Sequence, residues 1–173
     1  MITQELAVSL LYAPSLRRRL YSMAYEAMLL FGVLFAAGWL FSTVLQQRHA
    51  LYLRATLQDW LFFVLGAYFV WFWVHGGQTL AMKTWRIRLV NADGTPVKPL
   101  RAVARYMLAW CWLLPGLALA WAMGAQRWLL LLIPMANVIG WAMTVYLDPQ
   151  RQFLHDRMLG TRLVDIEKSA QPT

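Results

Sequence analysis

The stretch Arg17-Arg18-Arg19-Leu20-Tyr21-Ser22-Met23-Ala24-Tyr25-Glu26-Ala27-Met28-Leu29-Leu30 opens an apolar run that continues to Leu45. At about 1.5 Å per helical residue this run is long enough to cross a bilayer core of roughly 30 Å. It sets three cations at the mouth of the run and one carboxylate, Glu26, six residues inside it. No other strongly ionisable residue lies so deep in any long apolar run of the chain. A carboxylate in hydrocarbon is costly, so an acidic residue within a span carries an expectation of function.

The rest of the composition agrees with a membrane setting. The 173 residues are 60% hydrophobic with ten Trp, and only 14% are charged. A single soluble domain of this length could not bury so much apolar surface, so lipid takes the excess. Four runs are long enough to span: 20–45, 57–75, 106–125 and 128–147. The expected fold is therefore an all-α integral membrane protein of four transmembrane helices, forming one domain over 1–173. Gln126 and Arg127 alone separate the last two runs, which makes them a tight helical hairpin.

Lys and Arg in the connections give the direction. Three precede the first run, six lie in the segment Gly76–Arg105, and four lie in the tail 148–173. The opposite side has only Arg48, Arg54 and Arg127. By the positive-inside rule both termini and the central segment are cytoplasmic, and Arg48 and Arg127 are external. The net charge of +8 is spread among these breaks and not gathered in one stripe, so no nucleic-acid partner is expected. The short run Leu6–Ala13 has no cleavage site after it, so no removable signal peptide is expected. Cys111 is the only cysteine, which excludes an intrachain disulfide.

Pro115 and Pro134 fall inside the third and fourth runs, where each removes a backbone donor and should kink its helix. Gly32/Ala36 and Gly116/Ala120 have the small-residue spacing that lets helices approach closely. In the central segment, Gly76-Gly77-Gln78-Thr79-Leu80 breaks the helical pattern. Trp85–Val90 then alternates apolar and basic residues, as a half-buried strand does, and Asn91–Pro96 is turn chemistry. Thr161–Ile166 alternates in the same way, so the two stretches could pair into a small cytoplasmic sheet.

Three groups of residues resemble motifs of the RDD membrane proteins. They are Arg-Arg-Leu-x-Ser-x-x-x-Glu at Arg18–Glu26, Gly-Gly-Gln-Thr-Leu with Arg-Leu-Val and Asp-Gly at Gly76–Gly94, and His-Asp-Arg-x-x-Gly-Thr at His155–Thr161. The family is named for one arginine and two aspartates, which would fall on Arg19, Glu26 and Asp156. Glu stands at 26 where the pattern has Asp, and Ala81-Met82 where related sequences often have Gly-Lys. The resemblance implies a bacterial inner-membrane protein with a suggested transport role.

Arg19, Glu26 and Asp156 are thus the leading candidates, with Ser22, Gln78, Thr79, Asn137, His155 and Arg157 secondary. Arg19 and Glu26 lie two turns apart, about 10 Å along the axis, so a direct pair is marginal and Ser22 could bridge them. The simplest structural reading is an Arg19–Asp156 ion pair clasping the tail to the foot of the first helix. Glu26 could accept a coupling proton or a cation, or be held by Asn137 or Thr144 of the fourth span. His75 and His155 are single histidines without metal-ligand spacing and are expected at the surface. No metal, cofactor or enzymatic motif is expected.

Two functions compete on this reading. One is a small transporter or ion-coupled permease, which four spans would build most readily as a homo-oligomer. The other is an accessory or scaffold protein whose basic cytoplasmic segment docks a protein partner or anionic lipid.

Overall fold

A computed structural model describes residues 12–45 and 54–169, the side chains of 168 and 169 excepted. Arg48, the run from Leu6 to Leu11 and the last four residues lie outside the described residues. Helix α1 covers Leu16–Val44, α2 Arg54–His75 and the short α3 Leu80–Thr84. Strand β1 is Ile87–Asn91, followed by α4 (Pro99–Ala109), a 3-10 turn (Trp110–Trp112) and α5 (Leu114–Ala122). Then come α6 (Leu129–Met143), a 3-10 turn (Thr144–Tyr146), α7 (Leu154–Leu159), β2 (Thr161–Asp165) and α8 (Ile166–Ser169).

Four helical stretches are long and apolar enough to cross a membrane: Leu16–Val44, Arg54–His75, Pro99–Ala122 and Leu129–Tyr146. Each of the four expected runs falls in one of these stretches, but the first three stretches begin earlier than their apolar runs. Ser15 caps α1 by accepting from the Arg18 amide, so the three arginines belong to the helix and not to a flank. The third stretch starts at Pro99, whose fixed φ suits a first helical turn. The end of the expected cytoplasmic segment is therefore helical, and Arg105 lies inside a helix.

Pro115 breaks the third stretch and Pro134 does not break the fourth. Without an amide hydrogen, Pro115 leaves the Cys111 carbonyl without its helical partner, and the chain passes through a 3-10 turn before α5 begins. Asn137 of α6 satisfies the break: its Nδ2 donates to Trp112 O at 2.6 Å and to Cys111 O at 3.3 Å. Pro134 sits within the continuous α6. Gly116 permits this contact, because a Cβ there would lie 2.7 Å from Pro134 Cα and 2.8 Å from Asn137 Cβ. Ala120 is fully buried one turn on, so this small-residue pair is a helix contact. Gly32 meets nothing within 4 Å and is not.

The two strands pair antiparallel, with Ile87 opposite Asp165 and Asn91 opposite Thr161. The sheet is therefore closed by residues about seventy positions apart, and Asn91–Pro96 is the exit from β1, not a hairpin. Both sheet edges are covered. Leu89 N donates to Gly77 O at 2.7 Å on one side, and Asp165 N donates to Tyr12 O at 2.8 Å on the other. Gly77 has φ +67°, and a Cβ there would sit 2.4 Å from Leu89 O, so only glycine fits this turn.

The dense core lies at the sheet end, where Trp73, Ile87, Leu89, Tyr106, Phe153 and Leu163 pack together. The spans themselves turn most of their apolar surface outward: Met28, Phe31, Phe35 and Trp121 are all widely exposed. That outer surface is what a bilayer covers.

Candidate functional site

A cavity of about 380 Å³ opens among α1, α2, α4 and the tail, next to the core. Arg19, Ser22, Glu26, Thr79, Arg105 and His155 supply its polar wall, and aromatic and aliphatic side chains supply the rest. Adjacent residues on a helix point about 100° apart, so α1 sends Arg18 and Arg19 in different directions. Arg18 turns to the sheet, pairing with Asp165 and donating to Trp85 O at 2.6 Å. Arg19 turns into the cavity and is 1% exposed. Its Nε donates to Pro14 O at 3.0 Å and its guanidinium lies 5.2 Å from the Phe153 ring centre. Its Nη1 and Nη2 are buried with no hydrogen-bond partner among the described residues.

Glu26 is held by two hydroxyls and not by the fourth span. Tyr68 of α2 donates to Oε1 at 2.6 Å, and Thr79 donates to Oε2. Thr79 also caps α3 by accepting from the Met82 amide, so one hydroxyl ties the start of α3 to the carboxylate. This corrects the expected roles of Asn137, Thr144 and Ser22. Asn137 serves the Pro115 break, Thr144 donates to Trp141 O, and Ser22 stands between Arg19 and Glu26 without taking either oxygen of the carboxylate.

Asp156 pairs with Arg105 and not with Arg19. Arg105 Nε donates to Asp156 Oδ1 at 2.8 Å, and the Thr161 hydroxyl adds a second bond to the same oxygen at 3.1 Å. The Arg105 guanidinium also lies 4.4 Å from the Trp73 ring centre. The tail is still clasped to α1, but through Arg18 and Asp165; Arg19 reaches Asp156 only by longer-range attraction. Burial pushes the Asp156 carboxyl up, but Arg105, His155 and Arg19 together outweigh it and hold the group below the usual carboxylate range.

His155 is 4% exposed, which overturns the expectation of a surface residue. Its ring stacks on Phe153 and Trp141, which shield it from water. Burial pushes its pKa down to about 4; Asp156 opposes the shift, while Arg105 and Arg19 add to it. The ring is therefore neutral near pH 7. Trp141 Nε1 can only donate, so Nδ1 at 3.3 Å is the acceptor and Nε2 has the proton. Nε2 faces Asp156 Oδ2 at 3.6 Å.

The other candidates lie away from the cavity. Gln78 donates to Ile87 O at 2.8 Å and supports the sheet. Arg157 is exposed and sits 3.6 Å from Asp148. His75 is exposed, as expected. Among the described residues no group of His, Cys, Asp and Glu comes together as a metal site requires.

Tyr68, Arg105 and Trp73 belong to the site and were not candidates. Tyr68 could have been found, since it is the only hydroxyl-bearing residue between Trp60 and His75. Arg105 served only as a topology marker, though it stands before an apolar run just as Arg19 does.

The family model of the RDD family matches residues 13–160, most of the chain and every residue of the cavity's polar wall. No curated protein and no solved structure matches it.

Proposed function

We propose, on the premise that this chain belongs to the RDD family, that it is a small transporter of the bacterial inner membrane. It binds a solute in the cavity and couples its movement to Glu26. The observation that carries this reading is a carboxylate at the wall of a mostly apolar cavity, engaged by two hydroxyls and, among the described residues, by no cation. Hydroxyls can reverse their hydrogen bonds when a carboxyl gains a proton, whereas an arginine cannot. Such a site accommodates both protonation states, as coupling requires.

The proposed orientation has both termini and the central segment in the cytoplasm. The bias in Lys and Arg supports it, as does the joining of the N-terminal segment, both strands and the tail at one end of the helices. Four spans alone are too few to enclose much of a pathway, which favours a homo-oligomer. No enzymatic step enters this reading.

Proton-coupled flux in reconstituted vesicles, followed with an enclosed pH dye, tests it. Glu26→Gln should abolish the flux while leaving the melting temperature near that of the native protein. Unchanged flux in that variant removes Glu26 from the mechanism. Reporter fusions at positions 94, 127 and 173 test the orientation, and an external signal at 173 would sink it.

A specific observation favours the accessory reading as second choice. Lys83, Arg88, Lys98, Arg101 and Arg151 are exposed around the sheet end, where they could dock anionic lipid or an acidic partner. A partner that co-purifies with the native protein but not with a Lys83→Ala, Arg88→Ala variant would support it over transport.

A further inference from the structure

We propose that the cavity takes a small monoanionic amphiphile, a carboxylate on an apolar chain, with the carboxylate seated on the Arg19 guanidinium. The inference deepens the solute-binding reading above and rests on it.

Arg19 is 1% exposed, and its Nη1 and Nη2 are buried beside the cavity with no partner among the described residues. A buried cation whose donors are unpaired is costly, and an anion that accepts from both recovers that cost. No carboxylate of the site itself does so. Asp156 is engaged by Arg105 through Oδ1, while its Oδ2 faces His155 Nε2 at 3.6 Å and has no hydrogen bond to Arg19, and Glu26 is engaged by Tyr68 and Thr79. Trp73 Nε1 is a third buried donor on the same cavity without a partner among the described residues. The planar fork of a guanidinium matches the two oxygens of a carboxylate, and the indole can serve a remaining lone pair.

The head must have one charge. A phosphate monoester would bring a second charge and a third oxygen next to Glu26 and Asp156, with too few donors to serve it. A phosphodiester continues into polar ester groups, which the lining does not match. Apart from the six residues of the polar wall the lining is apolar and aromatic, with Leu30, Leu65, Phe69, Tyr106 and Trp110 among it, so the remainder of the ligand is apolar. The volume suits a compact molecule at the small end of ligand sites.

The test is calorimetric titration of the full chain, in nanodiscs of zwitterionic lipid against empty discs, with sodium octanoate, octanol and octylammonium as probes. Octanoate should bind at least tenfold more tightly than octanol, with octylammonium weakest. Arg19→Met should bind octanoate no better than octanol, with its melting temperature unchanged or raised. If that variant does not purify, Arg19→Lys keeps the charge and removes the fork, and octanoate affinity should fall at least threefold. Equal affinity of the native protein for octanoate and octanol, or an Arg19→Lys protein as tight as native, overturns the proposal. So does loss of octanoate binding in discs made with phosphatidylglycerol, which would assign the site to a lipid phosphodiester. Octanoate binding without flux leaves this inference standing and removes transport; flux without octanoate preference does the reverse.

Discussion

Arg105 Nε donates to Asp156 Oδ1 over 2.8 Å, joining the start of the third membrane helix to the tail with both side chains almost fully buried. Removing either partner leaves the other charge buried and unpaired, which typically costs about 3–5 kcal/mol. Arg105→Met and Asp156→Asn should each lower the melting temperature in detergent, and the double variant should lose less than the two together. A second cycle on Arg19 and Asp156 should give a smaller coupling, because these two do not share a hydrogen bond. Equal couplings in the two cycles would contradict this pairing.

The two hydroxyls on Glu26 should contribute unequally. Tyr68→Phe removes one hydrogen bond to a charged group, worth about 1.5–3 kcal/mol. Thr79→Val removes a similar bond and also the cap of α3, and so should cost more than Tyr68→Phe. Thermal unfolding of the purified variants gives the order, and a neutral Tyr68→Phe would mean that the contact has no energetic weight.

Gly116 should tolerate no side chain. The Cβ of Gly116→Ala would press on Pro134 Cα and Asn137 Cβ and push α5 and α6 apart, an overpacking cost of about 1–3 kcal/mol. Gly32→Ala meets nothing within 4 Å and should be neutral or slightly stabilising, since alanine is the better helix former. Comparing the two melting temperatures separates packing from propensity.

His155 sets a pH window. Its folded pKa of about 4 lies below the unfolded value of 6.5, so the unfolded chain binds more protons between those limits. Stability should therefore fall as pH drops from 6.5 towards 4, by about 3 kcal/mol at full extent. Asp156, held below its ordinary value of 3.8, adds a further loss only at lower pH, as it gains a proton on unfolding. His155→Gln should flatten the slope of stability between pH 6.5 and 4, measured by denaturant unfolding at fixed pH. An unchanged slope would mean that the ring is not buried as a neutral group.

Much of the architecture was legible in the sequence, because the properties that set it are local. The length of an apolar run decides whether a helix can span, and the alternation in Trp85–Val90 and Thr161–Ile166 marked both strands to within two residues. The missing amide of Pro115 marked the break in the third helix. What the sequence could not decide was which charge meets which. Arg18, Arg19 and Arg105 are equivalent in charge, and each stands near the start of an apolar run. Only the 100° step along α1 sends Arg18 to Asp165 and Arg19 into the cavity. Only the packing of α4 against α7 brings Arg105 to Asp156, 51 residues away. The same holds for Glu26, whose partners come from another span and from a turn that Gly77 makes possible. Spans and strands follow from patterns along the chain, whereas the partners of buried charges follow from the distances that the fold creates.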